Sequence, residues 1–144
     1  MLPFLITLVA GESPYRQIVY AATRAIVAGT LAPGVSFPSV RELSMALKIN
    51  PNTAHKVIAE LVRDGLLEVQ SGVGTVVTHG RTASEAERQA MLARPVEQVV
   101  VEAKRLGLTL DEVQDAMHRA WRDLSPGSDC EWPTPRLPPS TCAA

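Results

Sequence analysis

The sequence predicts a mainly α-helical protein with one small β-hairpin. Apolar residues recur at helical spacing in several separate segments, which indicates amphipathic helices. Ser39 and Thr109 each stand three residues before a glutamate, the spacing of a capping box at a helix N-terminus. Two β-prone runs flank the turn SGVG at residues 71–74, where glycines are free to adopt positive φ angles.

The charge of the chain lacks the basic excess that is typical of nucleic-acid-binding proteins. The 144 residues are 46% hydrophobic and 20% charged, as in ordinary globular proteins, and the formal net charge is −1. Residues 12–80 hold six Lys/Arg and five Asp/Glu, a net charge of +1 for that part. Any affinity for DNA must therefore come from where the charges lie.

The two ends of the chain carry no clear targeting or redox signal. The run MLPFLITLVAG has no basic residue before its apolar stretch, so we expect a strand or an extended arm rather than a signal peptide. No run approaches the roughly 18–20 apolar residues of a membrane span. Cys130 and Cys142 match no metal motif, and a reduced cytoplasmic protein fits best.

Three helices are expected in the first half of the chain. Pro14 suits the first turn of a helix that ends at Gly29 and has an apolar stripe. Ser39 and Glu42 begin a short second helix, which ends near Lys48. The inward residues of these helices are Ile18, Ala21, Ala22, Ala25 and Ile26 in the first, and Val40, Leu43, Leu47 and possibly Met45 in the second.

A third helix is predicted over residues 51–63, capped by Asn50 or Asn52 and ended by Asp64-Gly65. Its apolar stripe consists of Ala54, Val57, Ile58, Leu61 and Val62, and its opposite face holds Asn52, Thr53, His55, Lys56, Ala59 and Arg63. The order of three helices and a hairpin is that of a winged helix-turn-helix, which we assign to residues 1–80.

Residues 81–124 predict a short two-helix dimerisation region. Thr82 or Ser84 caps a charged helix, which Pro95 is expected to interrupt or restart, and Gly107 ends it. Two amphipathic helices of this size cannot close a core between themselves, so a second copy of the chain is the simplest partner. The residues assigned to dimerisation are Val96, Val99, Val100, Ala103, Leu110, Val113, Met117 and Trp121, with Leu106 on the same stripe. Residues 125–144 are Pro-rich and expected to be disordered.

The third helix is expected to enter the major groove of DNA with its N-terminal residues near base edges. Asparagine pairs bidentately with adenine, and lysine and arginine bind guanine or phosphate. Free N–H groups at Ser39 and Asn52 are expected to hold phosphates, and the turn at residues 71–74 to follow the backbone or minor groove. The candidate DNA-binding residues are Ser39, Arg41, Asn50, Asn52, Thr53, His55, Lys56, Ser71 and Gly72.

Each of these residues also has a simpler interpretation. A polar helix face is most often only solvated, and His55 alone would be a surface histidine. The two glycines alone would be a hairpin turn, and Ser39 with Glu42 is above all a structural cap.

Residues 29–77 resemble the winged helix-turn-helix of the GntR family of bacterial transcription regulators. The matching runs are GTLAPG, FPSVREL, LKINPNT, LVRDGLLE and SGVGTVV, in the order and spacing of the family. The run NPNTAHK and the short C-terminal part are similar to the YtrA subfamily, in which a two-helix region serves for dimerisation. The resemblance implies a homodimeric repressor of a transport or stress operon, bound to an inverted-repeat operator in double-stranded DNA.

The resemblance also implies roles for individual residues. Arg41 matches a DNA-contacting arginine, Lys56 a basic residue of the subfamily, and Ser71 and Gly72 the tip of the wing. Asn50, Asn52, Thr53 and His55 match DNA-facing positions. Two positions depart from the pattern: Val73 stands where wings carry basic residues, and Ile58 where an aromatic residue is common. We therefore expect modest affinity and a shallow dependence on salt.

Other function classes receive less support from the sequence. His55, His79 and His118 are scattered and no catalytic, metal or cofactor motif is present, so we expect no enzyme and no cofactor. A winged helix used only for protein–protein contact would expose apolar residues on the third helix, whose outer face is polar. A small effector site lined by Met117, His118 and Trp121 remains open, with the effector unknown.

Overall fold

The computed structural model describes residues 2–79 and 83–125, which form five α-helices and one two-stranded antiparallel sheet. The helices are α1 (Pro14–Val27), α2 (Val40–Leu47), α3 (Pro51–Arg63), α4 (Glu85–Arg105) and α5 (Leu110–Asp123). The strands β1 (Leu67–Gln70) and β2 (Gly74–Val77) lie between α3 and α4 in the chain. The predicted mainly α fold with a small hairpin is confirmed. The predicted tail, with Cys130 and Cys142, lies outside the described residues except for Ser125.

The central helix of the N-terminal part is α3, which packs against α1, α2 and β1. Its residues Ala54, Val57 and Leu61 are fully buried, and they meet Ile18 of α1 and Leu43 of α2 in one apolar core. These positions recur at helical spacing, so burying them turns one whole face of α3 inward. The opposite face is thereby left for solvent or a partner.

The hairpin, which we call the wing (residues 67–77), is joined to a third extended segment at residues 34–37. The N–H of Phe37 donates to the carbonyl oxygen of Thr75 at 2.8 Å, and the N–H of Val77 donates to that of Val35 at 2.9 Å. The segment leads directly into α2. These backbone bonds therefore place the start of α2 and the wing against each other.

Residues 2–9, which we call the arm, have no helix or strand hydrogen bonding, so the expected strand is not formed here. The ring of Phe4 is 5% exposed and stacks on Phe37, with ring centroids 5.9 Å apart. The N–H of Val9 donates to Oε1 of Gln17 at 2.7 Å, and Nε2 of Gln17 donates to the carbonyl oxygen of Val9 at 3.0 Å. An aromatic anchor and an α1 side chain thus hold the arm in place.

Four helices begin with a side-chain cap, and three of these caps are complete capping boxes. The predicted boxes of Ser39 with Glu42 and Thr109 with Glu112 are confirmed. Asn50, and not Asn52, caps α3. Ser84 caps α4, while its alternative, Thr82, lies in the part of the chain that the structure does not describe.

The prediction that Pro95 interrupts or restarts a helix is wrong. The helix α4 runs without a break through Pro95 from Glu85 to Arg105. A proline inside a helix removes one backbone hydrogen bond and crowds the preceding turn. Helix-favouring residues precede Pro95 and the capping box at Ser84 stabilises the start of the helix, which together offset that local cost.

Met45, the possible inward residue of α2, is exposed instead, and Leu106 of the α4 stripe is also exposed. Met45 follows the buried Leu43 by two residues, which places it on the other side of a helix with 3.6 residues per turn. Leu106 is the C-cap of α4 and no longer follows the helical stripe.

The anchoring of the arm gives a stability prediction. Replacing Phe4 with alanine should lower the free energy of unfolding by about 3 kcal/mol, because it removes a buried aromatic ring from the core. Leu5→Ala is the matched control, since Leu5 is the neighbouring residue and is 100% exposed. Urea unfolding followed by circular dichroism measures both; equal stabilities of the two variants would contradict the anchoring role.

Candidate nucleic-acid interface

The turn between α2 and α3 sets the position of the candidate recognition helix. Lys48 ends α2 in the left-handed region, with φ 53° and ψ 46°. The N–H of Ile49 donates to the carbonyl oxygen of Ser44 at 3.1 Å, which closes the turn. Chain reversal at a non-glycine left-handed residue costs about 1–2 kcal/mol, which the packing of α2 on α3 offsets.

The structure gathers five of the predicted DNA-facing residues at the start of α3. Asn50, Asn52, His55 and Lys56 are exposed, and Thr53 is half-buried beside them. They lie opposite the buried stripe of the same helix. This end of α3 therefore presents amide, imidazole and ammonium groups to the surroundings, the donor and acceptor types that read base edges.

The expectation of free N–H groups at two cap positions is wrong. The N–H of Ser39 donates to Oε2 of Glu42 at 2.8 Å, and the N–H of Asn52 donates to Oδ1 of Asn50 at 2.8 Å. The caps already use the donors that a phosphate would need. The two hydrogen bonds from Ser39 also hold the pKa of Glu42 below its ordinary value, the backbone N–H having the larger effect.

Arg41 lies in the first turn of α2 and is exposed. Since α2 packs on α3, Arg41 is available on the surface of the helix pair, while the inner side of α2 is closed by Leu43. Its planar guanidinium has five N–H donors, suited to a phosphate or a guanine.

The wing carries no basic residue along residues 67–77. Ser71 and Gly72 form its exposed tip, with Gly72 at φ +77°, and Val73 beside them is also exposed. The only charged side chain of the wing is the carboxylate of Glu68. Any contact of this tip with DNA would rest on backbone and hydroxyl groups.

A surface cleft of about 590 Å³ lies between the start of α1 and one flank of α3. The side chain of Glu60 lies between its two sides: it forms an ion pair with Arg63 of α3, and Tyr15 of α1 lines the cleft with it. Interaction with Glu60 raises the pKa of Tyr15. The cleft is lined by Tyr15, Thr53, Lys56, Ala59, Glu60 and Arg63.

Tyr15 was missed by sequence reasoning, and Arg63 was placed on the outer face without a role. The pairing of Tyr15 with Glu60 joins residues far apart in the chain, which spacing within one helix does not reveal. The only local signal was the i, i+3 spacing of Glu60 and Arg63, which is typical of a helical ion pair.

The helices α4 and α5 expose most of the apolar residues assigned to dimerisation. No residue of α5 is buried, and Trp121 is 79% exposed, with Leu110 and Met117 also exposed and Val113 half-buried. In α4, Val99 and Val100 are exposed and Val96 is half-buried. Ala103 differs, because it is only 7% exposed and is already covered by its own chain.

Two features are absent from residues 2–79 and 83–125. No helix in these ranges has the length and hydropathy of a membrane span. Within the same ranges, no group of three or more His, Cys, Asp or Glu residues is arranged to hold a metal ion.

Comparison with known proteins agrees with this geometry. Residues 14–77 match the family described as bacterial regulatory proteins, gntR family. The chain is 29% identical over 114 residues to the HTH-type transcriptional repressor YtrA of Bacillus subtilis (strain 168), covering 78% of this chain and 88% of that repressor. It is 31% identical over 103 residues to the uncharacterized HTH-type transcriptional regulator YhcF of the same strain, covering 72% of this chain and 85% of that regulator.

A solved structure of a GntR family transcriptional regulator from Listeria monocytogenes superposes with a TM-score of 0.59 at 26% sequence identity. The superposition covers 78% of this chain and 98% of that chain, so it includes residues beyond the winged helix-turn-helix. The chain belongs to the GntR family of bacterial transcription regulators and is a YtrA-like member of it.

Proposed function

We propose that this regulator is a homodimeric repressor that binds an inverted-repeat operator with α3 in the major groove. The observation that carries the proposal is the division of α3 into a fully buried apolar face and an exposed polar face at its N-terminal end. In this proposal residues 1–80 bind DNA and residues 81–124 pair two copies. The similarity to a transcriptional repressor supports the direction of regulation.

Base reading is assigned to the first turns of α3. The exposed amide of Asn52 is assigned to bidentate pairing with adenine, while Asn50 keeps its amide N–H₂ group as a donor because its oxygen caps the helix. His55 and Lys56 lie on the next turn and are assigned to base edges or to phosphates. Thr53, being half-buried, contributes its methyl or hydroxyl at the edge of this surface.

Backbone contacts are assigned to the residues around α3. Arg41 binds a phosphate or a guanine from the start of α2, and Ser39 contributes its hydroxyl beside it. That hydroxyl donates to Oε2 of Glu42 at 2.7 Å, so Ser39 must share or exchange this bond in a complex. Ser71 and Gly72 of the wing contribute neutral contacts only.

Dimerisation is assigned to the exposed apolar stripes of α4 and α5. An exposed tryptophan, leucine and methionine on one helix form the kind of apolar surface that a protein interface covers. A second copy provides a matching surface by two-fold symmetry, and the same symmetry in the operator would give an inverted repeat.

An unbiased selection from random duplex DNA, performed with the purified protein at two salt concentrations, tests the proposal. We expect enrichment of a palindrome with half-sites about one helical turn or a multiple of it apart. Failure to enrich any duplex at either salt concentration would overturn DNA reading and favour a winged helix that binds proteins. Enrichment of a single unrepeated half-site would overturn the dimeric arrangement.

Arg41 should contribute directly to operator binding. Arg41→Ala is expected to weaken binding to the selected operator by about 1–3 kcal/mol, because it removes a bidentate donor. Arg24→Ala is the control, since Arg24 is an exposed arginine in the last turn of α1. Fluorescence anisotropy measures both; equal affinities of the two folded variants would remove Arg41 from the interface.

Trp121 should contribute strongly to the dimer interface. Trp121→Glu is expected to raise the dimer dissociation constant at least about tenfold, because it places a charge where apolar surface should be covered. Arg119→Glu is a charge-changing control on the same helix, outside the stripe. Sedimentation equilibrium measures the constants, and a Trp121→Glu protein that dimerises like the control would place the interface elsewhere.

A further inference from the structure

We propose that the cleft between α1 and α3 extends the DNA interface, with Arg63 joining Lys56 in holding the phosphodiester backbone beside the groove that α3 enters. Glu60, with Tyr15 beside it, positions the guanidinium of Arg63, and these two residues do not themselves bind the phosphates. This inference rests on the proposed function, because it requires α3 to lie in the major groove. It extends the interface to the C-terminal end of α3, where no contact has been assigned.

The cleft is continuous with the proposed base-reading surface. Thr53 and Lys56 line the cleft and also belong to the set at the start of α3. Lys56 and Arg63 are seven residues apart, so they lie on the same side of α3 about 10 Å from each other along its axis. A helix in the major groove has the phosphates of the groove wall along its flank, which is where this row of cations lies.

The charges of the cleft are arranged with the cations outward. Its lining holds the cations of Lys56 and Arg63 and the single carboxylate of Glu60. The side chain of Arg63 is 71% exposed, whereas that of Glu60 is 23% exposed. The carboxylate is therefore recessed behind the guanidinium, and an approaching phosphate meets positive charge first.

The ion pair leaves Arg63 able to bind a second anion. A guanidinium has five N–H donors, and the pair with Glu60 involves the terminal nitrogen Nη2. The remaining donors can face a phosphate oxygen. An exposed ion pair of this kind contributes little to stability, so a binding role is compatible with its position.

Tyr15 is a positioning residue in this site. It lines the cleft beside Glu60 from the first turn of α1, so the carboxylate has a neighbour on α1 as well as its ion-pair partner on the next turn of α3. In this proposal a carboxylate flanked on both sides keeps the guanidinium of Arg63 in one orientation. That orientation is what a bidentate contact with a phosphate requires.

The cleft would supply the phosphate-binding cations that the wing lacks. The wing of this chain has no cation, yet affinity for DNA comes largely from phosphate contacts made by lysine and arginine. Lys56 and Arg63 lie on the helix that contacts the bases, so they would fix its depth and register in the groove. The expected salt dependence is then set by α2 and α3 and not by the wing.

The test measures binding of the full chain to a duplex that the wild-type protein selects, over a series of salt concentrations. The variants compared are Arg63→Gln, Tyr15→Phe and the control Arg24→Gln. Arg63→Gln should bind roughly threefold to tenfold more weakly, to the operator and to a scrambled duplex alike. The slope of log K against log salt should become shallower by about 0.9, the value for one phosphate contact. Arg24→Gln should keep the wild-type slope.

Tyr15→Phe should weaken binding roughly twofold to fivefold and leave the slope unchanged, because a neutral hydroxyl releases no counterion. A slope for Arg63→Gln equal to that of Arg24→Gln would overturn the phosphate contact, as would an altered base preference. Wild-type affinity of Tyr15→Phe would overturn the positioning role. In each case continued binding by the wild-type protein leaves the proposed function standing, whereas absence of any duplex binding by the wild type overturns both.

Thermal unfolding of the three variants separates binding from folding. All three substitutions are at exposed or half-buried side chains, so melting temperatures close to that of the wild type are expected. A destabilised Arg63→Gln protein with unchanged salt slope would assign Arg63 to the fold and overturn the site.

Discussion

The burial of one face of α3 is the constraint on which the rest of the molecule depends. Ala54, Val57 and Leu61 are fully enclosed by α1, α2 and β1. Each buried valine or leucine stabilises the fold by about 1.5–3 kcal/mol relative to its exposed state. Turning α3 about its axis would expose these residues and bury Lys56 and Arg63, which are charged. The polar face is therefore outward because the apolar face cannot be.

The same core links parts of the surface that are distant in sequence. Phe37 stacks on the arm, donates a backbone hydrogen bond to the wing, and lies two residues before the cap of α2. A displacement at any of these places is transmitted to the others through one side chain and its backbone. The candidate DNA surface is thus carried by a single packed unit, and not by independently mobile loops.

Local sequence signals were sufficient to predict most of the helices, whereas contacts between residues far apart in the chain could not be predicted from them. Capping boxes and helical periodicity predicted α2, α3 and α5 because each acts within a few residues. The continuity of α4 through Pro95 depends on the stability of the whole helix. The rule that proline interrupts a helix considers one residue only, and it failed there. Free N–H groups were expected at Ser39 and Asn52, although the capping box predicted at Ser39 uses the first donor and a cap by Asn50, one of the two candidates, uses the second. The proximity of Tyr15 to Glu60 escaped because it joins residues far apart in the chain.

The docking of the N-terminal arm has a practical consequence for protein production. Phe4 closes the core from a segment that contributes no regular secondary structure, so a bulky fusion partner attached at Met1 would begin only a few residues from a buried ring. A displacement of the arm by the fusion partner would be transmitted to the start of α2 and to the wing through Phe37. An affinity tag can instead be placed at the opposite terminus or removed by cleavage before the assay. A disturbance caused by the tag is then not mistaken for a property of the regulator.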